Sequence, residues 1–301
     1  MRPGRVEDLP GVLALLQAEV RAGRQDCVPG PAYLQRMLWG FDWSSRSRMV
    51  DGSGGLEGAV LVAGQSSPLG TVTQVSVACG RLDVRRDLLR WALNLSKAAG
   101  AIAAQMWCGR GHNEGLAEVG ARFVRPWWRM DLNLAIDSMA TRPVRGYELR
   151  DGSQTAGCNW ADLHNRSFAD HWRFSPRSEA ELATGRSPRL SLMAVADDGS
   201  PAAVALGQVE SYLDDSRPQP VGIVSSVGTV PEHRRKGLAT WLVAELLKRL
   251  REDGARTASL YVDGWNHTRA FEAYRKLGFE LAFESEVWEA ALGPGESARL
   301  S

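Results

Sequence analysis

Two stretches of this chain, half its length apart, carry the same succession of patterns. Ser47–Gly64, "SRMVDGSGGLEGAVLVAG", and Ser191–Gln208, "SLMAVADDGSPAAVALGQ", each read as strand, Gly-rich turn, strand. An apolar, β-branched run follows each, "TVTQVSVA" and "VGIVSSVGTV". A helical segment comes next, "RRDLLRWALNLSKAAG" and "GLATWLVAELLKRLREDG", and then a short strand, "AIAAQMW" and "TASLYVD". A period of half a chain is too long for a solenoid, so the pattern implies duplication of one α/β unit. The stretch "AIDSMATRPVRGYELRDGS" is the joint, which divides the chain into residues 1–140 and 141–301.

A length of 301 residues is enough for two such units, each with its own core. The charge is nearly balanced, 36 Lys and Arg against 35 Asp and Glu. That argues against a chain devoted to nucleic acid or to an anionic membrane surface. No stretch of about 18 apolar residues exists to span a bilayer, and "MRPGRVEDLP" has no apolar segment of the secretory type. Cys27, Cys79, Cys108 and Cys158 are far apart in sequence, without metal or redox spacing, and are expected to be reduced thiols of a cytoplasmic protein.

The second half is the more legible. "GYELR" is a strand, "ADLHNRSFADHW" and "SEAELAT" are helices, and Ser178 with Glu181 has capping-box spacing. A hairpin turns at "DDGS", and Val221–Val230 reads as a buried strand. Leu238–Leu250 is a helix with Leu238, Trp241, Leu242, Leu246 and Leu250 on one side. Thr257–Val262 is a strand, "HTRAFEAYRKLG" a helix stopped at Gly278, and "FELAFESEVWEA" the last strand or hairpin. Alternating strands and helices with antiparallel pairs at the ends predict a mixed sheet.

Between the buried strand and its helix lies "VPEHRRKGLATWL". Amides at a helix start point outward, and the helix dipole favours an anion there. Gly237 and Ala239 leave room for close approach, and Arg234 and Arg235 can add charge-assisted hydrogen bonds. The stretch suits a pyrophosphate, although the two standard glycine-rich nucleotide motifs are absent. Downstream, Asn266, Ala270, Tyr274 and Gly278 recur at intervals of four, which puts Ala270 and Tyr274 on one helical face.

Together "VPEHRRKGLA" and "NHTRAFEAYRKLGF" resemble the cofactor-binding and C-terminal motifs of the GNAT acyltransferase superfamily. The tandem layout resembles its two-domain, mycothiol synthase-like members. The resemblance is strong from Val221 to Trp288, moderate from Gly146 and faint before Ala140. It implies a mixed α/β fold of two tandem GNAT-like domains, each a mostly antiparallel sheet flanked by helices. It also implies acetyl-CoA, or another acyl-CoA, as donor and no metal. A bulge at Val227, Gly228 and Thr229 would receive the pantetheine arm, and Arg234, Arg235, Lys236, Gly237, Leu238, Ala239 and Thr240 the pyrophosphate. Asn266 and Arg269 are further cofactor contacts. Tyr274 matches the family's general acid. The base is taken as Glu210, with Asp263, Asp170 and His171 as alternatives, because "VGIVSSVGTV" holds no ionisable group and Ser225 and Ser226 could only position a water.

The first half departs from the pattern. Leu82, Arg85 and Asp87 stand where the motif needs Arg or Gln and small residues, and "NEGLAEVGARF" has no tyrosine. It is expected to be a degenerate copy with a structural role, in which a bulge at "VSVAC" could leave a residual pantetheine site. The function implied is N-acyl transfer to a small amine, such as a natural-product, amino-sugar or peptide-like acceptor. A non-catalytic acyl-CoA sensor or scaffold is the alternative. No nucleic-acid or membrane partner is expected, and the chain is expected to be a monomer or homodimer.

Overall fold

The computed structural model describes residues 1–30, 34, 38–67, 70–135, 142–155, 158–183, 187–213, 216–266 and 270–293. The chain forms two compact units. The first is Met1–Trp127 with Leu213–Asp215 and Phe283–Ser301, and the second is Trp128–Tyr212 with Ser216–Ala282.

The first half of the chain runs β1 (Arg2–Pro3), α1 (Leu9–Arg21), β2 (Ser47–Gly52), β3 (Gly55–Ser67), β4 (Gly70–Cys79), α2 (Leu82–Ala98) and β5 (Ala103–Gly109), and it ends in β6 (Arg122–Asn133). β1 to β4 pair antiparallel in sequence order, and β4 pairs parallel with β5. Strand alternation sends neighbouring residues to opposite faces. Ala59 packs in the cluster of Val12 and Met49 under α1, while Val60 and Val62 pack with Leu88, Leu89 and Ala92 of α2.

The second half of the chain repeats the plan. It runs β7 (Tyr147–Asp151), α3 (Trp160–Phe168), α4 (Glu179–Ala183), β8 (Ser191–Ala196), β9 (Pro201–Glu210), β10 (Val221–Thr229), α5 (Leu238–Glu252), β11 (Thr257–Asp263), α6 (Ala270–Lys276) and β12 (Glu280–Ala291). β7 to β10 pair antiparallel in order, and β10 pairs parallel with β11. Val204 and Leu206 of β9 pack with Trp160 and Leu163 of α3, while Ala203 and Ala205 pack with Leu238, Leu242 and Leu246 of α5. Each fully buried Leu of that stripe contributes about 1.5–3 kcal/mol. The capping box at α4 forms, with Glu181 accepting from the Ser178 N–H at 2.8 Å. The mixed α/β fold expected from the sequence is the fold observed.

Each unit finishes its sheet with a strand from the other half of the sequence. In the first unit β12 lies antiparallel to β5, from Ala291↔Ala103 to Ser285↔Gly109. In the second unit β6 is the neighbour of β11. Simple repetition of the pattern does not reveal this exchange, because a last strand is equally apolar beside either unit.

Candidate active site

β10 positions the site. Its ladder with β9 slips between Leu206 and Gly207: Leu206 faces Ser226, Gly207 faces Val224, and Ser225 is left over. The extra residue is a β-bulge, which bends the strand. On the other edge the parallel ladder runs only from Val221↔Thr257 to Val224↔Leu260. Beyond that point the strands part. Ser225 is exposed directly after four buried residues of the same strand, and Tyr261 of β11 is exposed too. The result is a cleft, with the backbone of Ser226–Thr229 as one wall. The bulge was expected at Val227, Gly228 and Thr229. It lies at Ser225 instead, beside Gly207 of β9, where a Cβ would lie 2.9 Å from Leu246 Cδ1 of α5. Gly228 serves a different contact: a Cβ there would lie 2.7 Å from both Phe168 Cε2 and Ser167 Cβ. Glycine lets α3 lie directly on the strand.

The cleft opens toward the loop between β10 and α5. Arg234 is extended at φ −64°, ψ 160°, Arg235 has φ +62°, and Gly237, the residue before α5, has φ +85°. Successive backbone N–H groups in such a turn, running into a helix start, can form an anion nest. Gly237 has no side chain to cap the helix, and the first intrahelical bond is Trp241 N–H to Gly237 O at 3.0 Å. The amides of Leu238, Ala239 and Thr240 therefore face outward at the positive end of the helix dipole. Nothing lies within 4 Å of the Cβ position of Gly237. The space above the nest is open, and it is the φ angle that demands glycine.

The cations of this loop divide their roles. Arg234 was expected on the anion, but its guanidinium clamps the loop to α3. It donates to both Asp170 oxygens at 2.6 and 2.9 Å, to Thr229 O at 3.1 Å and to Ser167 O at 3.3 Å. The guanidinium holds the Asp170 carboxyl down at about 2. Lys236 Nζ donates to the Tyr147 hydroxyl at 3.0 Å, which lies 2.7 Å from His233 Nδ1. His233 is thus partnered. Arg235 is exposed.

Tyr274 packs at the edge of the second unit's core with its ring 6.1 Å from Phe279. Burial pushes its phenol up to about 12. Asn266 follows β11, its N–H bonded to Asp263 O at 3.0 Å. Arg269 lies outside the described residues. Glu210 is not brought to this region. It pairs with Val221 at the opposite end of β10 from the nest, four strand residues from the bulge, or about 14 Å. A hairpin's register decides which end of a strand a residue occupies, and the residue pattern alone did not fix it.

The first unit shows the same frame without the site. Its β3–β4 ladder runs unbroken from Gly58↔Cys79 to Ser67↔Gly70, so the bulge expected at "VSVAC" is not formed. Residues 230–237 connect β10 to α5, whereas only Gly80 and Arg81 connect β4 to α2. The nest is therefore missing altogether, beyond the replacement of single residues. Asp83 lies in the first turn of α2, where it opposes an anion. Arg85 is buried against Glu19 and donates to Cys79 O at 3.0 Å.

The bulged central strand thus runs directly into a helix start opened by glycine. Residues 158–279 match the acetyltransferase (GNAT) family. It is 33% identical over 170 residues to a mycothiol acetyltransferase of Kytococcus sedentarius, covering 52% of this chain and 54% of the relative. It is 29% identical over 191 residues to a mycothiol acetyltransferase of Thermobifida fusca, covering 57% and 58%. These matches thus span about half the length of the curated relatives. Among solved structures, a GCN5-related N-acetyltransferase from Sphaerobacter thermophilus aligns over 98% of this chain and 96% of its own, with TM-score 0.81 at 19% identity. A tandem GNAT protein from the clavulanic acid biosynthesis pathway aligns over 98% of both chains, with TM-score 0.66 at 17% identity. The likeness to these two concerns the fold. Among the described residues no helix is long and apolar enough to cross a membrane.

Proposed function

We propose that this chain is an acetyl-CoA-dependent N-acyltransferase acting on a small amine, with residues 141–301 as the catalytic domain and residues 1–140 as a structural, degenerate copy. The observation that carries the reading is the continuity of the β10 bulge, the splayed cleft and the nest from Arg235 to Thr240. This run suits a long ligand with a diphosphate at one end and an amide-rich arm at the other. The residues fit acetyl-CoA: outward amides for the phosphates, open space over Gly237 and unpaired strand backbone for the arm. When bound, it supplies an activated acyl group on a thiol leaving group.

The chain's own residues account for the rest. Backbone N–H groups beside the bulge polarise a carbonyl held in the cleft. Tyr274 stays protonated throughout the neutral range and can give its proton to a departing thiolate. Transfer from a phenol at about 12 is favourable only where the same burial also raises the thiol, whose free value is about 8.5. Tyr274 and the cleft must therefore exclude water together. The acceptor is proposed to be an amino sugar, a peptide-like amine or a natural-product intermediate. The mycothiol acetyltransferase relatives put aminothiols of that kind in the test set. A cytoplasmic location is proposed on the same likeness.

The test is release of free thiol from acetyl-CoA over a panel of glucosamine, aminothiols and short peptides. Amine-dependent release that is lost in Tyr274→Phe supports the reading. Acetyl-CoA binding without turnover on any amine would favour the sensor alternative.

A further inference from the structure

The acceptor amine needs a base, and β10 contains no ionisable side chain from Val221 to Thr229. The carboxylates that could substitute are placed or occupied elsewhere. Glu210 sits at the far end of the strand, Asp170 is held by Arg234, and Asp263 accepts the Trp265 N–H in its own turn at 2.9 Å. α3 supplies what the strand lacks. Ser167 and Phe168 meet β10 at Gly228, and His164 stacks on Phe168 with ring centroids 4.6 Å apart and planes 28° from parallel. These three residues share one helix face. The C-terminal turn of α3 is tied to the nest through Arg234 and Ser167 O, and its earlier residues Trp160 and Leu163 pack with Val204 and Leu206 of β9, the strand partners of Gly228 and Ser226. His164 is thus separated from Gly228 by the Phe168 ring alone, and Ser226, two residues along the same strand face, adjoins the bulge. His164 is buried, at 7% exposure. Ser167, at 2%, carries a hydroxyl with no hydrogen-bond partner, an unspent polar group beside the imidazole.

We propose that His164 is the general base that takes the acceptor's ammonium proton, an inference that rests on the N-acyltransferase reading above. The neutral imidazole accepts one N–H proton, and the freed amine forms the C–N bond as the C–S bond breaks. Two protons leave the nitrogen in all. One passes through His164 to solvent, and the other restores the proton that Tyr274 gives to the thiolate. Burial, foremost, lowers the pKa of His164, and the nearby Arg177 and His171 push it the same way, against the hydrogen bond with Asn165. From β9 and β10 the side chains on this face, Val204, Leu206 and Ser226, carry no charge. On α4, Glu179 is engaged by the Ala161 N–H at 2.7 Å. A lowered pKa leaves the imidazole neutral at neutral pH. Activity should then fall as pH drops through a midpoint below the ordinary histidine value of about 6.5.

Two measurements on the full chain test this, with glucosamine, an aminothiol or whichever panel amine turns over. Ring nitrogen NMR, with the His164 resonance assigned by its loss in His164→Gln, gives the titration midpoint directly. The pH profile of kcat/KM gives the kinetic one. The two should coincide in the wild type. In His164→Gln the rate at neutral pH should drop by about 10²–10⁴, the acidic limb should move up to the free amine's own pKa, and acetyl-CoA affinity should hold. His164→Gly, with acetyl-CoA affinity as the check on its fold, should regain activity with added imidazole. A variant that keeps the wild-type limb, or a limb far from the His164 midpoint, overturns the proposal. A wild type that binds no acetyl-CoA overturns the parent reading instead.

Discussion

Gly228 is a residue whose absent side chain positions two elements. Gly228→Ala would drive a methyl to within 2.7 Å of Phe168 and Ser167. Displacing α3 from the strand should cost about 1–3 kcal/mol, read as a lower midpoint in urea, and should reduce turnover more than acetyl-CoA affinity. Tyr274→Phe keeps the ring against Phe279 and removes only the hydroxyl. The chemical step should slow by about 10²–10⁴ with acetyl-CoA affinity unchanged. A single-turnover rate equal to wild type would leave Tyr274 as a packing residue. With its phenol at about 12, Tyr274 should produce no alkaline fall in rate at any lower pH. Asp170 titrates at the other extreme. Its folded value, about 2, lies below the ordinary carboxylate. The stability it lends is therefore full above about pH 4 and is lost as pH falls toward 2. Carboxyl-carbon NMR should show Asp170 ionised at pH 3. A titration near the usual value would mean that the Arg234 clamp does not persist in solution.

Elements differ in how openly the sequence shows them. The strand, nest and helix from Val221 to Glu252 were legible because a β-branched run, a glycine before a helix and a leucine stripe each have a local cause. The family motifs placed Tyr274 for the same reason. The bulge position, the end of the sheet that Glu210 occupies and the partnership of Arg234 with Asp170 were not legible. Each depends on register or on a contact between distant residues, and neither leaves a local trace. The first unit shows the contrast at element scale. Its strand-to-helix connection has only Gly80 and Arg81, and Glu19 with Arg85 fills the region below. Glu19→Ala would leave a buried guanidinium without its carboxylate, a loss of about 3–5 kcal/mol. Thermal unfolding should register that loss, while acetyl-CoA affinity measured below the transition stays at the wild-type value. A parallel collapse of affinity would place cofactor binding in the first unit.

At the scale of the whole molecule, the exchange of last strands makes each unit depend on sequence from the other half. A fragment 141–301 keeps every element of the proposed site but lacks β6, the neighbour of β11. It would expose an unpaired strand edge, which invites aggregation. That fragment should be poorly soluble alone and recover when co-expressed with residues 1–140. Good solubility and full activity of the fragment alone would show that the exchange is dispensable. The account as a whole rests on one acetyl-CoA site per chain, built at the nest of the second unit. Calorimetric titration of the full chain with acetyl-CoA tests this most directly. The predicted result is a stoichiometry of one and loss of binding in Gly237→Glu, which strains the left-handed turn and puts a carboxylate in the open space above the nest, with circular dichroism and the unfolding transition as the check that the rest of the fold is kept. Two sites per chain, or unchanged affinity in the folded variant, would contradict it.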